Sequence, residues 1–174
     1  ILANNSGEPP IGHFKNWDRD DWIRAINENM LTSIEMIKAV IDSMVGKKFG
    51  PVVNITFGSV KSPILQLGLS NGARSGLTTF VAGLAREYEQ YYVTINNLLP
   101  GQFNTARIEA LIEKRAKENG TTSQELRAKL EEENPSKRLG GIGKFGVACA
   151  WICSTHSGYL VGQNILIDDG RFNS

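Results

Sequence analysis

What this chain has little of narrows it first. Of 174 residues only two are cysteines, two are histidines and six are prolines. Cys149 and Cys153 stand four apart on an expected helix with Trp151 between them. Neighbours on one helix face are poorly placed for a disulfide, and His13 and His156 do not complete a zinc pattern, so no metal centre is expected. Buried structural thiols in a reducing compartment are the reading that remains, and a cytoplasmic protein follows from it. No apolar run approaches the ~20 residues that span a bilayer. An excess of one charge is lacking too: 19 basic against 18 acidic residues leave a net +1. That balance gives no electrostatic reason for a nucleic-acid or anionic-membrane partner. Asn4, Asn54 and Asn119 head glycosylation-type triplets with no signal peptide, and are read as chance. The initiator Met is also missing, and Ile1-Leu2-Ala3-Asn4-Asn5 reads as the tail of a buried strand entering a turn, which predicts a longer natural protein.

What is present is an alternation of strands and helices in one domain, 1–174, with 41% hydrophobic residues. Trp22, Ile26, Met30, Ile34, Ile37, Ile41 and Met44 recur at helical spacing, predicting a helix from Asp18 to Met44 that Gly46 and Gly50-Pro51 end. Val52 to Phe57 is short, β-branched and apolar, as a buried parallel strand should be. A second helix is expected from about Leu67 to Tyr88, with Leu69, Ala73, Leu77, Phe80, Val81 and Leu84 inward. Its Gly72, Ser75, Gly76 and Gly83 allow close approach, either of a second subunit or of its own sheet. Val93 to Leu99 is the next strand, stopped by Pro100-Gly101. Residues 105 to 134 are charged and helical, split near Gly120 and re-entered with Thr122 or Ser123 as cap; the 105–140 stretch reads as a lid or surface excursion. Lys144 to Ser154 is an apolar helix and Val161 to Ile167 a last strand. This order predicts a doubly wound α/β domain, a parallel sheet with helices on both faces, and ligands at the carboxyl ends of its strands. The turns after Asn5, Phe57 and Leu99 lie at that edge.

Motifs at those turns, in this order, resemble the short-chain dehydrogenase/reductase family, of the 3-oxoacyl-acyl-carrier-protein reductase type. Asn4-Asn5-Ser6-Gly7 is similar to its Asn-Asn-Ala-Gly turn, and Asn29 matches its helix asparagine. Ile55-Thr56-Phe57-Gly58-Ser59-Val60 matches the strand end that carries the active-site serine, here Ser59. Pro100-Gly101-Gln102-Phe103-Asn104-Thr105 matches the Pro-Gly-x-x-x-Thr loop beside the nicotinamide. Gly162 to Gly170 looks like the closing strand, with Asp169 where a glycine is usual. The resemblance implies an NAD(P)-binding Rossmann-like fold of which this chain is about the carboxyl-terminal two-thirds. The glycine-rich turn that seats the pyrophosphate has no counterpart here. It further implies Asn5, Ser6, Gly7, Arg74, Pro100, Gly101, Phe103 and Thr105 as cofactor-binding residues, with NADP slightly favoured over NAD. Asn29, Ser59, Ser70 and Arg74 are the catalytic candidates.

The departure that matters lies on the second helix. The family presents Tyr and, four residues later, Lys; the register here gives Ser70 and Arg74. A tyrosine has a free pKa of about 10 and serves as acid or base once a cation lowers it. A serine hydroxyl is too weak and too short for that part. Tyr88 lies about 27 Å further along the helix, and Tyr159 reads as a packing residue. Arg74 can still donate to a ribose hydroxyl, though it forks its donors differently from Lys. Two functions follow. One is an NAD(P)-linked oxidoreductase acting on a small carbonyl or alcohol, or on a 3-oxoacyl thioester, slow for want of the acid. The other is a non-catalytic, cofactor-binding or oligomerising homologue. Either implies a homo-oligomer, tetramer or dimer. A serine hydrolase built on Ser59 with His13 or His156 lacks a nucleophile elbow and a placed acid.

Overall fold

Side-chain alternation along the strands assigns each helix to its face of the sheet. In the computed structural model, which describes residues 1–172, four strands lie parallel in the order of the chain: β1 (Leu2–Asn5), β2 (Val52–Ile55), β3 (Ile95–Pro100) and β4 (Asn164–Ile167). Val52 and Ile95 point to one face, where they join Ile37, Ile41, Met44, Leu77 and Val81. Val53 and Leu98 point to the other and meet Ile152, Cys153, Phe145 and Cys149. The period of two along a strand therefore separates two cores, and helices cover both faces as expected.

The long first helix is not one regular helix. It runs as α1 (Arg19–Ile26), a π turn over Asn27–Leu31, and α2 (Thr32–Lys47). Asp18 caps it reciprocally with Asp21. Gly46 lies inside α2, and the end comes at Lys48, whose φ of 49° is left-handed. Trp22 and Ile26, expected inside, are exposed; the buried stripe there is Ala25, Asn29 and Ser33. Small and polar residues replace the apolar stripe because another helix comes close.

That helix is α3 (Gly68–Tyr88), which buries Leu69, Ala73, Leu77 and Val81, while Phe80 and not the core faces solvent. Its small residues have partners within the chain: β-carbons placed at Gly68, Gly72 and Gly76 would meet Trp17, Trp22 and Met30, whereas Gly83 is open. Between β3 and β4 come α4 (Ala106–Asn119), α5 (Ser123–Glu132) and α6 (Ile142–Ile152). Gly120 ends α4 at φ 63°, and Thr122 and Glu125 cap α5 reciprocally. This stretch is polar outside but anchored, with Ile112 and Ala116 buried and Asn134 hydrogen-bonded to the Arg138 carbonyl at 3.0 Å. Among the described residues no helix is long and apolar enough to cross a membrane and no cluster of side chains could hold a metal. Cys149 and Cys153 are unpaired, and only Cys153 is fully buried. Tyr159, expected to pack, is wholly exposed.

Candidate active site

An amide ladder braces the strands that carry the site. Asn4, Asn54, Asn97 and Asn164 occupy paired positions across all four strands. Asn4 Nδ2 donates to Asn54 Oδ1 at 2.9 Å, Asn54 Nδ2 to Asn97 Oδ1 at 3.1 Å, and Asn97 Nδ2 to Asn164 Oδ1 at 2.8 Å. Two of these residues headed the glycosylation-type triplets; their side chains are buried and committed. The ladder crosses the sheet one residue before the ends of β1 and β2, in the middle of β3 and at the start of β4.

At those turns the structure gathers Ser6, Gly7, Asn29, Thr56, Ser59, Ser70 and Arg74. Asn29 sits in the π turn. Its Nδ2 donates to the Ala25 carbonyl at 3.2 Å, the acceptor an α-turn would give to the backbone N–H of Asn29, so the helix widens there. Its Oδ1 faces Ser6 Oγ at 3.5 Å, which brings the first turn and the helix asparagine together.

Arg74 is 4% exposed and spans two strand ends. Nη1 donates to the Thr56 carbonyl at 2.6 Å and Nη2 to the Gly7 carbonyl at 2.9 Å. Burial lowers its pKa; Glu8 nearby raises it and Arg107 lowers it. Glu8 and Arg107 themselves form an ion pair, joining the turn after β1 to the first turn of α4. Four polar atoms of this region are enclosed without a hydrogen-bond partner: Thr56 Oγ1, Ser59 Oγ, Asn71 Oδ1 and Arg74 Nε. An unpaired buried polar group costs about 1–3 kcal/mol, so these atoms call for a partner that the protein itself does not supply, water or a ligand.

The remaining candidates are placed as follows. Ser70 opens α3 one turn before Arg74 and is 5% exposed. Asn5 and Gly7 are exposed at the end of β1, and Pro100-Gly101 closes β3 beside Asp168. Thr105 caps α4, its hydroxyl accepting from Ile108 N at 3.3 Å. Phe103 turns towards α6, its ring 5.1 Å from that of Phe145, and lines a separate small cavity with Arg138 and Lys144. Tyr88 ends α3 at the opposite pole from Ser70. Ser59 Oγ bonds to neither histidine: His13 accepts from Lys15 N, and His156 lies exposed beyond α6. The hydrolase arrangement is therefore absent among the described residues.

Sequence reasoning missed Asn97, Asn164, Thr56, Glu8 and Phe172. Asparagine inside every apolar strand was a readable signal for the ladder. Glu8 and Phe172 carried none, because their neighbours come from distant segments.

Known proteins give this site a lineage. The profile of the family described as enoyl-(acyl carrier protein) reductase matches residues 1–171. The chain is 31% identical to acetoacetyl-CoA reductase of Cupriavidus necator over 172 residues, covering 98% of this chain and 65% of that protein. It is 29% identical to the 3-oxoacyl-[acyl-carrier-protein] reductase FabG of Salmonella typhimurium, covering 99% of this chain and 66% of that one. The chain thus spans just under two-thirds of the length of these relatives. The fold is shared with the NADPH-dependent reductase YwfH, involved in bacilysin biosynthesis, at a TM-score of 0.91 and 23% identity over 99% of this chain and 66% of that one. It is also shared with the L-sorbose reductase of Gluconobacter frateurii, complexed with NADPH and L-sorbose, at a TM-score of 0.93 and 18% identity over 99% and 66%. With its motifs gathered at one sheet edge and nearly its whole length matched, the chain belongs to the short-chain dehydrogenase/reductase family, in the group that the enoyl-(acyl carrier protein) reductase profile describes.

Proposed function

We propose that the chain carries the nicotinamide and substrate side of an NAD(P)H-linked reductase acting on a 3-oxoacyl thioester or another small carbonyl, with NADPH favoured. The observation that carries this reading is the cluster of unpaired polar atoms at Thr56, Ser59, Asn71 and Arg74, on the edge where a parallel sheet takes its ligands. The acetoacetyl-CoA and 3-oxoacyl-[acyl-carrier-protein] reductase relatives support the thioester, and the NADPH-bound neighbour supports the cofactor.

The residues present suit a nicotinamide riboside. Arg74 retains an unpaired Nε–H for a ribose hydroxyl, with Asn5, Ser6 and Gly7 on one side and Pro100, Gly101 and Thr105 on the other. Phe103 would have to leave Phe145 to join them. When bound, the reduced nicotinamide supplies the hydride to a carbonyl carbon. Ser59 Oγ donates to the carbonyl oxygen and polarises it. Asn29 and Ser6 hold a water, and the proton comes from water in the space a tyrosine ring would fill above Ser70. Arg74 is buried and cationic, so it stabilises a developing alkoxide without giving up a proton. The absence of a positioned acid costs about 10²–10⁴-fold in rate.

The rival, a non-catalytic homologue, is favoured by the commitment of Arg74 to two backbone carbonyls. Calorimetric titration with NADH and NADPH separates them. Tight binding of one supports the reductase and fixes the cofactor; binding of neither to folded protein moves the assignment to the rival. Two unpaired thiols fit a reducing, cytoplasmic setting, and exposed Ile23, Leu31 and Met36 on the outer helices suit a homo-oligomer.

A further inference from the structure

Two glycines at the ligand edge are fitted to the same piece of chain. Beyond β4 the polypeptide turns on Asp168, whose carboxylate accepts from Gly170 N at 3.1 Å and Phe172 N at 2.9 Å. It then crosses back over the sheet. A β-carbon at Gly101, at the end of β3, would lie 2.6 Å from Asp168 Cα. One at Gly58, beyond the end of β2, would clash with the edge of the Phe172 ring at Cε2 and Cδ2. The tail thus traverses two strand spacings, roughly 10 Å, across the carboxyl edge, and its aromatic ring seats beside Ser59. Gly58 and Ser59 are consecutive in one buried turn, and Ser59 Oγ is enclosed with no partner.

The tail is also fastened to the helical excursion. Arg171 Nη2 donates to Glu133 Oε2 at 2.6 Å, and Ser136 N donates to Asp169 Oδ2 at 2.8 Å. Asp169 makes that bond from a left-handed backbone, φ 64°, which a glycine would adopt more easily. Phe172 lies one residue past the stretch that the family profile matches.

We propose that Phe172 is a specificity-determining residue: its ring walls the site on the Gly58 side of Ser59 and limits branching next to the reacting carbonyl. This rests on the reading of the strand edge as a carbonyl site. A carbonyl oxygen held by Ser59 Oγ brings the adjacent carbon towards that wall. A linear 3-oxoacyl chain fits past it, whereas a substituent on the carbon between the two carbonyls meets the ring. The ties to Glu133 and Ser136 hold the wall in register with α5.

The test measures binding by calorimetry, so that turnover is not required. The probes are the N-acetylcysteamine thioesters of 3-oxobutanoate and of its 2-methyl and 2-ethyl derivatives. Phe172→Ala is expected to raise the ratio of branched to linear affinity about ten-fold or more, the range one or two methylenes command. An unchanged ratio, or no binding of any probe by either protein, overturns the proposal. Thermal melts of Gly58→Ala form the structural arm. The substitution should lower Tm in the parent and not in the Phe172→Ala background, where the seat is empty; equal losses in both show that the ring is not seated there. NADPH titrated alongside keeps the two readings apart. NADPH binding with an unchanged ratio removes only the wall, and a changed ratio without NADPH binding removes only the oxidoreductase.

Discussion

At the scale of single residues the proposed chemistry turns on Ser70 and Arg74. Neither titrates where a proton relay works, since a serine hydroxyl is too weak an acid and a guanidinium stays protonated. If the site is a lapsed reductase, Ser70→Tyr together with Arg74→Lys should raise turnover of acetoacetyl-CoA with NADPH by about 10²–10⁴-fold. Loss of the parent's own turnover in that variant would instead indicate a site adapted to Ser70. Asp169 offers a second test at this scale. Its left-handed backbone costs about 1 kcal/mol, and its carboxylate returns a comparable amount through Ser136 N. Asp169→Gly should therefore leave stability within about 1 kcal/mol, while Asp169→Ala, which keeps the strain and loses the bond, should cost about 1–2 kcal/mol in urea unfolding. The sequence flagged Asp169 as unusual because a glycine is expected there; only the backbone angle gives the reason.

Among the elements, the asparagine ladder is the most consequential addition to the sequence reading. Asn54 lies at its centre, donating to Asn97 and accepting from Asn4. Asn54→Leu leaves a buried donor and a buried acceptor unpaired, and should cost about 2–4 kcal/mol in chemical denaturation. A loss below about 0.5 kcal/mol would mean that the amides repair themselves or that water enters. The start of α5 supplies a pH test. Glu125 accepts from Thr121 Oγ1, Thr122 Oγ1 and Thr122 N, and these bonds hold its pKa at about 2, below the ordinary 4.5. Because the folded value is depressed, the stabilisation is present above pH 4.5 and is lost as pH falls through about 2. Carboxyl-carbon NMR should show that midpoint for Glu125, and Thr122→Ala should move it upward. A midpoint near 4.5 in the parent would contradict the capping geometry. The cap was legible only as Thr122 or Ser123, and the structure decides for Thr122, paired with Glu125. The π turn in the first helix was not, because it arises where the Asn29 side chain takes a backbone acceptor.

On the scale of the whole molecule, two cores pack on opposite faces of one sheet. The outer helices still present Ile23, Leu31 and Met36 to solvent. Light scattering of the complete chain should report a dimer or tetramer, and a stable monomer would remove the oligomer from both functional readings. The small residues of α3 bear on which surface takes part. Gly68, Gly72 and Gly76 are already filled by Trp17, Trp22 and Met30, so of those glycines only Gly83 remains open to a neighbour.

The sequence by itself determined the parallel α/β architecture, because strand and helix periods are local properties and their alternation permits few topologies. It also determined the family, the missing acid at Ser70 and the edge where the motifs meet, because turns of fixed order at strand ends converge in any such sheet. Only the tertiary structure decided what each polar side chain does there. Arg74 is held by the carbonyls of Thr56 and Gly7, contributed by the turns after β2 and β1. Trp22 is part-exposed with its ring edge lying over Gly72 of α3, and does not enter the core. Phe172 reaches Gly58 only because the chain folds back across β3. Such contacts join residues far apart in the chain, and no local pattern encodes a partner that folding alone brings near.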